Sequence, residues 1–319
     1  MEFPQRKIYK IVERLCPDVQ YWANSPWGGA KEANDPTIGD IHQWDGTFSR
    51  SYQDYKHLSG RFVSEFGMHG YPDMRTVNEF VPNPQDRHPQ SRAIDSHKGH
   101  LAETRIARYL AENFRYSNEL EKFANVSQLM QSEAYGYACR DWKRKFGGKG
   151  KESCAGLIIW QLNDVYPCTS WVFYTIKKSF APISIGIERT PWSRWIDDDH
   201  PRMTEIPSFE TFAHNTTPFE KKFTLSLSAY DMYKHEYITL PPDHAAQEVT
   251  LEPGQNTELG SLAMLKSVGE ESLIILAASL VNDKREVEAR IVNWPEPFRY
   301  LSWHEDTRVS VAVREQGER

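Results

Sequence analysis

The 319-residue chain changes texture near Phe180, and that change restricts its fold more than any other feature. Before it, short apolar runs alternate with helix-patterned segments. After it, short strands of period-two alternation succeed one another between turn residues such as Pro253-Gly254 and Asn282-Asp283. Strands interleaved with helices build βα units and a parallel sheet or barrel, whereas successive alternating strands build an antiparallel sandwich. Two architectures therefore share the chain: α/β over 1–180, then all-β of immunoglobulin-like size over 181–296.

In the first part, Ile8, Ile11, Val12 and Leu15 recur at i, i+3, i+4 and i+7, one helical stripe closed by Cys16-Pro17-Asp18. No strand precedes this helix. Residues 19–24, 39–44 and 60–67 are the expected strands, followed by a polar loop over 81–100. Helical patterning covers 101–113 and 125–146. The second helix ends on Lys143, Arg144 and Lys145 before Gly147-Gly148, cations and glycines where a helix C-terminus favours them. The apolar run 156–162 is a fourth strand. Past Phe180, residues 223–230, 248–251, 273–280 and 288–292 read as sandwich strands.

Composition removes several classes of function. Lys and Arg number 38 against 44 Asp and Glu, a net charge of -6, so no broad basic footprint is offered to nucleic acid. The cations over 140–151 coincide with the helix end described above. No apolar run reaches the roughly 18 residues that mark a membrane-spanning helix. The first fifteen residues lack the apolar centre of a signal peptide, so a cytoplasmic location is expected. Cys16, Cys139, Cys154 and Cys168 have neither metal nor redox spacing and read as reduced thiols. His97 and His100 stand at i, i+3 without a third ligand, which reads as a solvated loop and no metal site. The sequons at Asn125 and Asn215 are expected to be chance. Aromatics are 13% of the chain, with 10 Trp; such rings fill cores and also form flat platforms for sugars.

Two residues stand out for chemistry. In Arg61-Phe62-Val63-Ser64-Glu65-Phe66-Gly67, strand alternation puts Val63 and Glu65 on one face. If Val63 points into a barrel, so does Glu65, at the C-terminal end of its strand where barrel enzymes keep their catalytic groups. A strand-end Glu held by an ion pair fits the spacing equally well. Trp160 follows three aliphatic residues, Leu157, Ile158 and Ile159, and precedes polar ones. It belongs at the sheet's rim, as a sugar platform or a core cap.

The runs NDPTIGDIHQW (34–44), RFVSEFGM (61–68) and GLIIWQLNDVYPCTSW (156–171) resemble the β-mannosidases of glycoside hydrolase family two, most closely the intracellular fungal type. The likeness continues through 180–184, 196–199 and 294–300 and covers nearly the whole chain. It implies a partial (β/α) barrel, about its C-terminal half, over 1–180. An immunoglobulin-like β-sandwich over 181–296 follows, and the start of a terminal β-domain over 297–319. It implies a retaining hydrolase of terminal β-linked mannose, with a β-mannoside oligosaccharide as partner and no metal or organic cofactor. By the same resemblance Glu65 is the nucleophile, Trp160 lines the sugar site, and His42 and Trp44 border it.

The departures from the family pattern carry expectations of their own. The family's acid/base Glu follows an Asn on an earlier barrel strand, and neither Asn78-Glu79 nor Asn118-Glu119 follows an apolar strand here, so the acid is not assigned to this chain. Segments between Trp44 and Tyr52 and between Trp171 and Phe173 are shortened. A non-catalytic relic is therefore the first alternative, and a β-galactosidase or β-glucuronidase the second. With only about four strands in place, the sheet's inner face, Val63 and Ile158 included, is expected to lack partners. The sandwich is then the more stable part.

Overall fold

In a computed structural model that describes residues 4–29, 32–97, 101–147, 153–161, 171–190, 207–263, 273–303, 307–310 and 312, the first half of the chain is helical around one small sheet. The order is α1 (Pro4–Leu15), β1 (Ile41–Gln43), α2 (Asp45–Phe48), β2 (Val63–Phe66), α3 (Met74–Phe80), α4 (Arg92–Asp95), α5 (Ala102–Asn113), α6 (Leu120–Arg144), β3 (Leu157–Ile159) and α7 (Trp171–Ser179). The three strands pair in parallel with β2 in the middle. Parallel neighbours need long crossovers, and α3 to α6 supply the one between β2 and β3.

The 25-residue α6 is the central prop of this half. Its first turn buries Leu120, Phe123 and Ala124, so the helix begins five residues before the expected start at 125. Further along, Tyr135 and Trp142 close on Phe66 of β2 at 5.4 and 4.7 Å between ring centroids. Tyr55 joins them, 5.3 Å from Trp142, and its carbonyl accepts the Trp142 indole N–H at 2.7 Å. Ile41, Val63 and Phe66 are all buried in this layer. The expectation that Val63 lacks partners is thereby corrected: it lies on the face that α6 covers.

Residues 19–24 form no strand. The only bridge near them joins Trp27 to Asp40, and this stretch is shaped by side-chain bonds to Asp40 in place of a ladder. The stripe of α1 is present, but Ile8, Ile11 and Leu15 are exposed.

The second half contains β4 (Ile183–Thr190), β5 (Ser208–Asn215), β6 (Lys221–Asp231), β7 (Glu236–Ile238), α8 (Pro242–Ala245), β8 (Ala246–Leu251), β9 (Gln255–Ala263), β10 (Ile274–Val281) and β11 (Val287–Asn293). One antiparallel sheet runs β4-β5-β9, the other β11-β10-β6-β7 with β8 also on β6. Along β10, Ile274, Leu276, Ala278 and Leu280 alternate inward, as a strand of period two requires. They share one core with Leu225 and Ala229 of β6 and with Ile183, Ile185 and Phe209 of the facing sheet. Asn215 is buried and donates to Phe219 and Leu251 carbonyls, so its sequon offers no accessible amide.

The two halves are tied at the end of α6. The Arg144 guanidinium reaches Glu188 of β4, Glu210 of β5 and Glu258 of β9, the last two at 2.6 Å, and lies 4.4 Å over the Phe212 ring. Buried Glu296 accepts from Gln53 and Tyr137. Beyond it the described residues carry no strand: a 3-10 turn, Phe298–Tyr300, stacks Phe298 on Phe114 of the α5–α6 connection at 5.1 Å.

Trp142→Ala should remove about 3–5 kcal/mol of stability, because it empties a fully buried site and removes one of the two hydrogen bonds to the Tyr55 carbonyl. Urea unfolding monitored by far-UV circular dichroism measures the loss.

Candidate active site

The site begins with an irregularity in β2. Its partners on β1 are Ile41 with Val63, His42 with Glu65 and Gln43 with Phe66, so Ser64 is an extra residue in the ladder. A bulge of this kind resets the alternation of faces. Val63 and Phe66 thus both turn toward α6, and Glu65 turns the other way with His42. The expectation that Val63 and Glu65 share a face is overturned. Glu65 is nonetheless on the side away from the helices, at the C-terminal end of its strand.

The same face continues onto β3. Leu157 and Ile159 pack against the helical core, while Ile158 between them and Trp160 just beyond are each 52% exposed. Trp160 is held by its backbone N–H, which donates to the Phe66 carbonyl at 2.9 Å. Trp44, at the start of α2, stacks on Phe48 at 5.9 Å and lies against Gly67. A Cβ on Gly67 would stand 2.5 Å from the Trp160 carbonyl oxygen and 3.1 Å from the Trp44 ring. Only glycine lets both close on the exit of β2. Glu65, His42, Trp44 and Trp160, the four residues singled out in the sequence, are thus gathered around one strand end.

His42 Nδ1 stands 3.3 Å from Glu65 Oε2, with the two side chains 19% and 22% exposed. His42 Nε2 is 3.0 Å from Ser25 Oγ, and that hydroxyl donates to Asp40 Oδ2 at 2.7 Å. Ser64 donates to the same oxygen. Asp40 Oδ1 accepts from the Trp22 indole at 2.8 Å and from the Trp27 N–H at 3.0 Å. Burial pushes the Asp40 carboxyl up, but four donors outweigh it and hold the group below the ordinary aspartate value. The backbone N–H of His42 is fixed by Asn34 Oδ1 at 2.9 Å.

Asp40, Ser25, Ser64 and Trp22 escaped the sequence reading. Asp40 and Ser64 lie inside the motifs quoted, but nothing in the spacing connects Ser25 to a carboxylate fifteen residues away. Residues 162–170 and 196–199 of the resembling motifs, His100 and Cys168 lie outside the described residues. Among the described residues, no group of three or more His, Cys, Asp or Glu is arranged to hold a metal ion.

No family model matches the chain. The β-mannosidase B of Thermothelomyces thermophilus is 39% identical over 334 residues, covering 94% of this chain and 38% of that protein. The chain is a β-mannosidase homologue. The β-mannosidase B of Emericella nidulans is 34% identical over 347 residues, covering 99% of this chain and 39% of the relative. The chain thus spans under two-fifths of the length of these β-mannosidases. A match of 347 residues on a chain of 319 also means that the relative carries residues this homologue lacks within the matched stretch. A crystal structure of the β-D-mannosidase of Dictyoglomus thermophilum superposes with a TM-score of 0.76 at 24% identity, over 93% of this chain and 35% of that one. The exo-chitosanase of Amycolatopsis orientalis follows at a TM-score of 0.51 and 17% identity, over 73% of this chain and 27% of that one. Both superpositions establish the fold alone.

In this β-mannosidase homologue Asp40→Ala should cost about 1–3 kcal/mol at pH 7, since it removes a buried carboxylate that accepts four hydrogen bonds. Because the folded-state pKa is depressed, the contribution of Asp40 is present above its unfolded value near 4 and is lost as pH falls below it. Urea midpoints of the native and Asp40→Ala proteins should draw together as pH falls below about 4.

Proposed function

We propose that the chain carries the nucleophile side of a retaining β-mannosidase site, with Glu65 as nucleophile and terminal β-linked mannose as substrate. The observation that carries this reading is Glu65 itself: a partly exposed carboxylate beside His42, at a strand end on the face of a parallel sheet that no helix among the described residues covers. A parallel sheet with helices on one side and functional groups on the other is the layout of a (β/α) barrel, so residues 1–180 are read as about half of one. Residues 181–296 are read as an immunoglobulin-like sandwich behind it, and 297–319 as the start of a terminal domain. The sugar class follows the names of the relatives.

On this reading the Glu65 carboxylate attacks the anomeric carbon as the glycosidic bond breaks, forming a covalent glycosyl ester. Water then cleaves the ester with net retention. His42 keeps the carboxylate aimed, and the half-exposed Trp160 indole is a platform for the apolar face of the sugar, with Trp44 at the border. No metal or organic cofactor enters the reaction. The leaving oxygen needs a proton from a second carboxyl roughly 5–5.5 Å away. Of the two Asn-Glu pairs, Glu79 lies within α3 and Glu119 caps α6, neither at a strand end, so the acid is assigned to neither.

The test uses a 2-deoxy-2-fluoro β-mannoside with a dinitrophenyl leaving group, which needs no protonation. Intact-mass spectrometry should find one slow covalent adduct, mapped to the peptide of Glu65 and absent in Glu65→Gln. Unactivated mannobiose should be turned over about 10²–10⁴ times more slowly than by a site with its acid in place. No adduct, or an adduct elsewhere, rejects Glu65 as nucleophile and leaves the relic reading. Fast hydrolysis of mannobiose abolished by Glu65→Gln would locate an acid within this chain.

A further inference from the structure

Away from Glu65, a cavity of about 380 Å³ lies where α6 and α7 meet strands β4, β5 and β11. Four cations line it: Lys143 of α6, which donates to the Ser179 carbonyl and the Ser184 hydroxyl, and three others, Arg140 of α6, Lys178 of α7 and Arg290 of β11. The last three are close enough to act on one another. Burial lowers the Lys178 pKa first, and the charges of Arg140 and Arg290 lower it further. Among the described residues the side chains of these last three take part in no ion pair or hydrogen bond. Arg140 is placed by packing: its guanidinium lies 4.8 Å over the Tyr137 ring, in room that Gly136 leaves, since a Cβ there would stand 2.9 Å from an Arg140 nitrogen.

The acids at hand do not balance them. Glu296 is spent on Tyr137 and Gln53, and Glu288 lies at the exposed mouth of the cavity, as Lys178 and Arg290 do. The Glu133 carboxyl is pushed up to about 7, chiefly by burial and further by Glu296, against Arg140 and Lys178, so near neutral pH it is only partly ionised. A second observation is independent of the charges. His214 of β5 lines the same cavity at 3% exposure, and neither ring nitrogen has a hydrogen-bond partner. Burial, then Lys143 and Arg144, hold its pKa well below the ordinary histidine value. The ring is therefore neutral, with one N–H and one lone pair unmet.

We infer that this cavity binds a phosphate-type oxyanion, free or carried on a small organic molecule, between Arg140, Lys178, Arg290 and the N–H of His214. Two guanidiniums present planar forks that match phosphate oxygens, and Lys178 adds a point charge. Like charges gathered with incomplete compensation are stabilised when an anion arrives. The volume exceeds what a bare phosphate fills and lies in the range of small-molecule sites, which leaves space for an attached group of sugar size.

Isothermal titration calorimetry on the full chain, at constant ionic strength in chloride, tests this with inorganic phosphate, a hexose phosphate and the neutral hexose. Phosphate or the hexose phosphate should bind saturably at one site per chain, and the neutral hexose should not. A tighter hexose phosphate identifies an organic carrier, and equal affinities a free ion. Lys178→Gln and Arg290→Gln should each weaken binding about tenfold. Lys178→Gln should not lower the thermal midpoint of the ligand-free protein, since it relieves repulsion. No saturable binding, binding untouched by both substitutions, or a neutral hexose that binds as well as its phosphate overturns the assignment.

Discussion

The contact between Phe66 and Trp142 is the one on which the rest of the structure depends. It seats the middle strand of a three-stranded parallel sheet on the longest helix, with Tyr55 and Tyr135 completing the ring cluster. One face of the sheet is thereby committed to the core. Whatever points the other way is left open, and the bulge at Ser64 decides that Glu65 is among it. Two residues beyond Trp142, the same helix presents Arg144 to three carboxylates of the second half. A single helix therefore fixes both the site and the junction.

Buried carboxyls within this framework have opposite fates, and the difference is one of donors. Asp40 is buried yet held ionised, because Ser25, Ser64, Trp22 and the Trp27 amide all donate to it. Glu133 and Asp141, on α6, are pushed up to about 7 and about 6, because burial outweighs the cations near them. Asp40 consequently works as a fixed anion behind Ser25 and His42. Glu133 instead leaves a cluster of cations without full compensation on the far side of α6.

The coarse architecture was legible because it depends on local periodicity. The alternation of β10 and the apolar positions of α5 and α6 are properties of neighbouring residues; β10 and α5 form where they were expected, and α6 begins five residues earlier. The four residues named for the site were legible for another reason: they sit in long motifs shared with a family, and the motif carries the site without a derivation of its geometry. Residues 19–24 misled because an apolar run resembles a strand whether or not a partner lies beside it. Here the chain is held by bonds to Asp40 instead.

By itself, then, the sequence determined the two textures, the change between them near Phe180, the helical patterning of α6 with its C-terminal signal, and the motif in which Glu65 lies. Tertiary structure alone decided which face Glu65 takes, because one extra residue in a ladder inverts every assignment made by counting. It also decided that Ser25 and Asp40 stand behind His42, and that Arg140, Lys178, Arg290 and His214 meet around one cavity. These residues are far apart along the chain, and only the packing of α6 against both sheets brings them within range of one another's charges and hydrogen bonds.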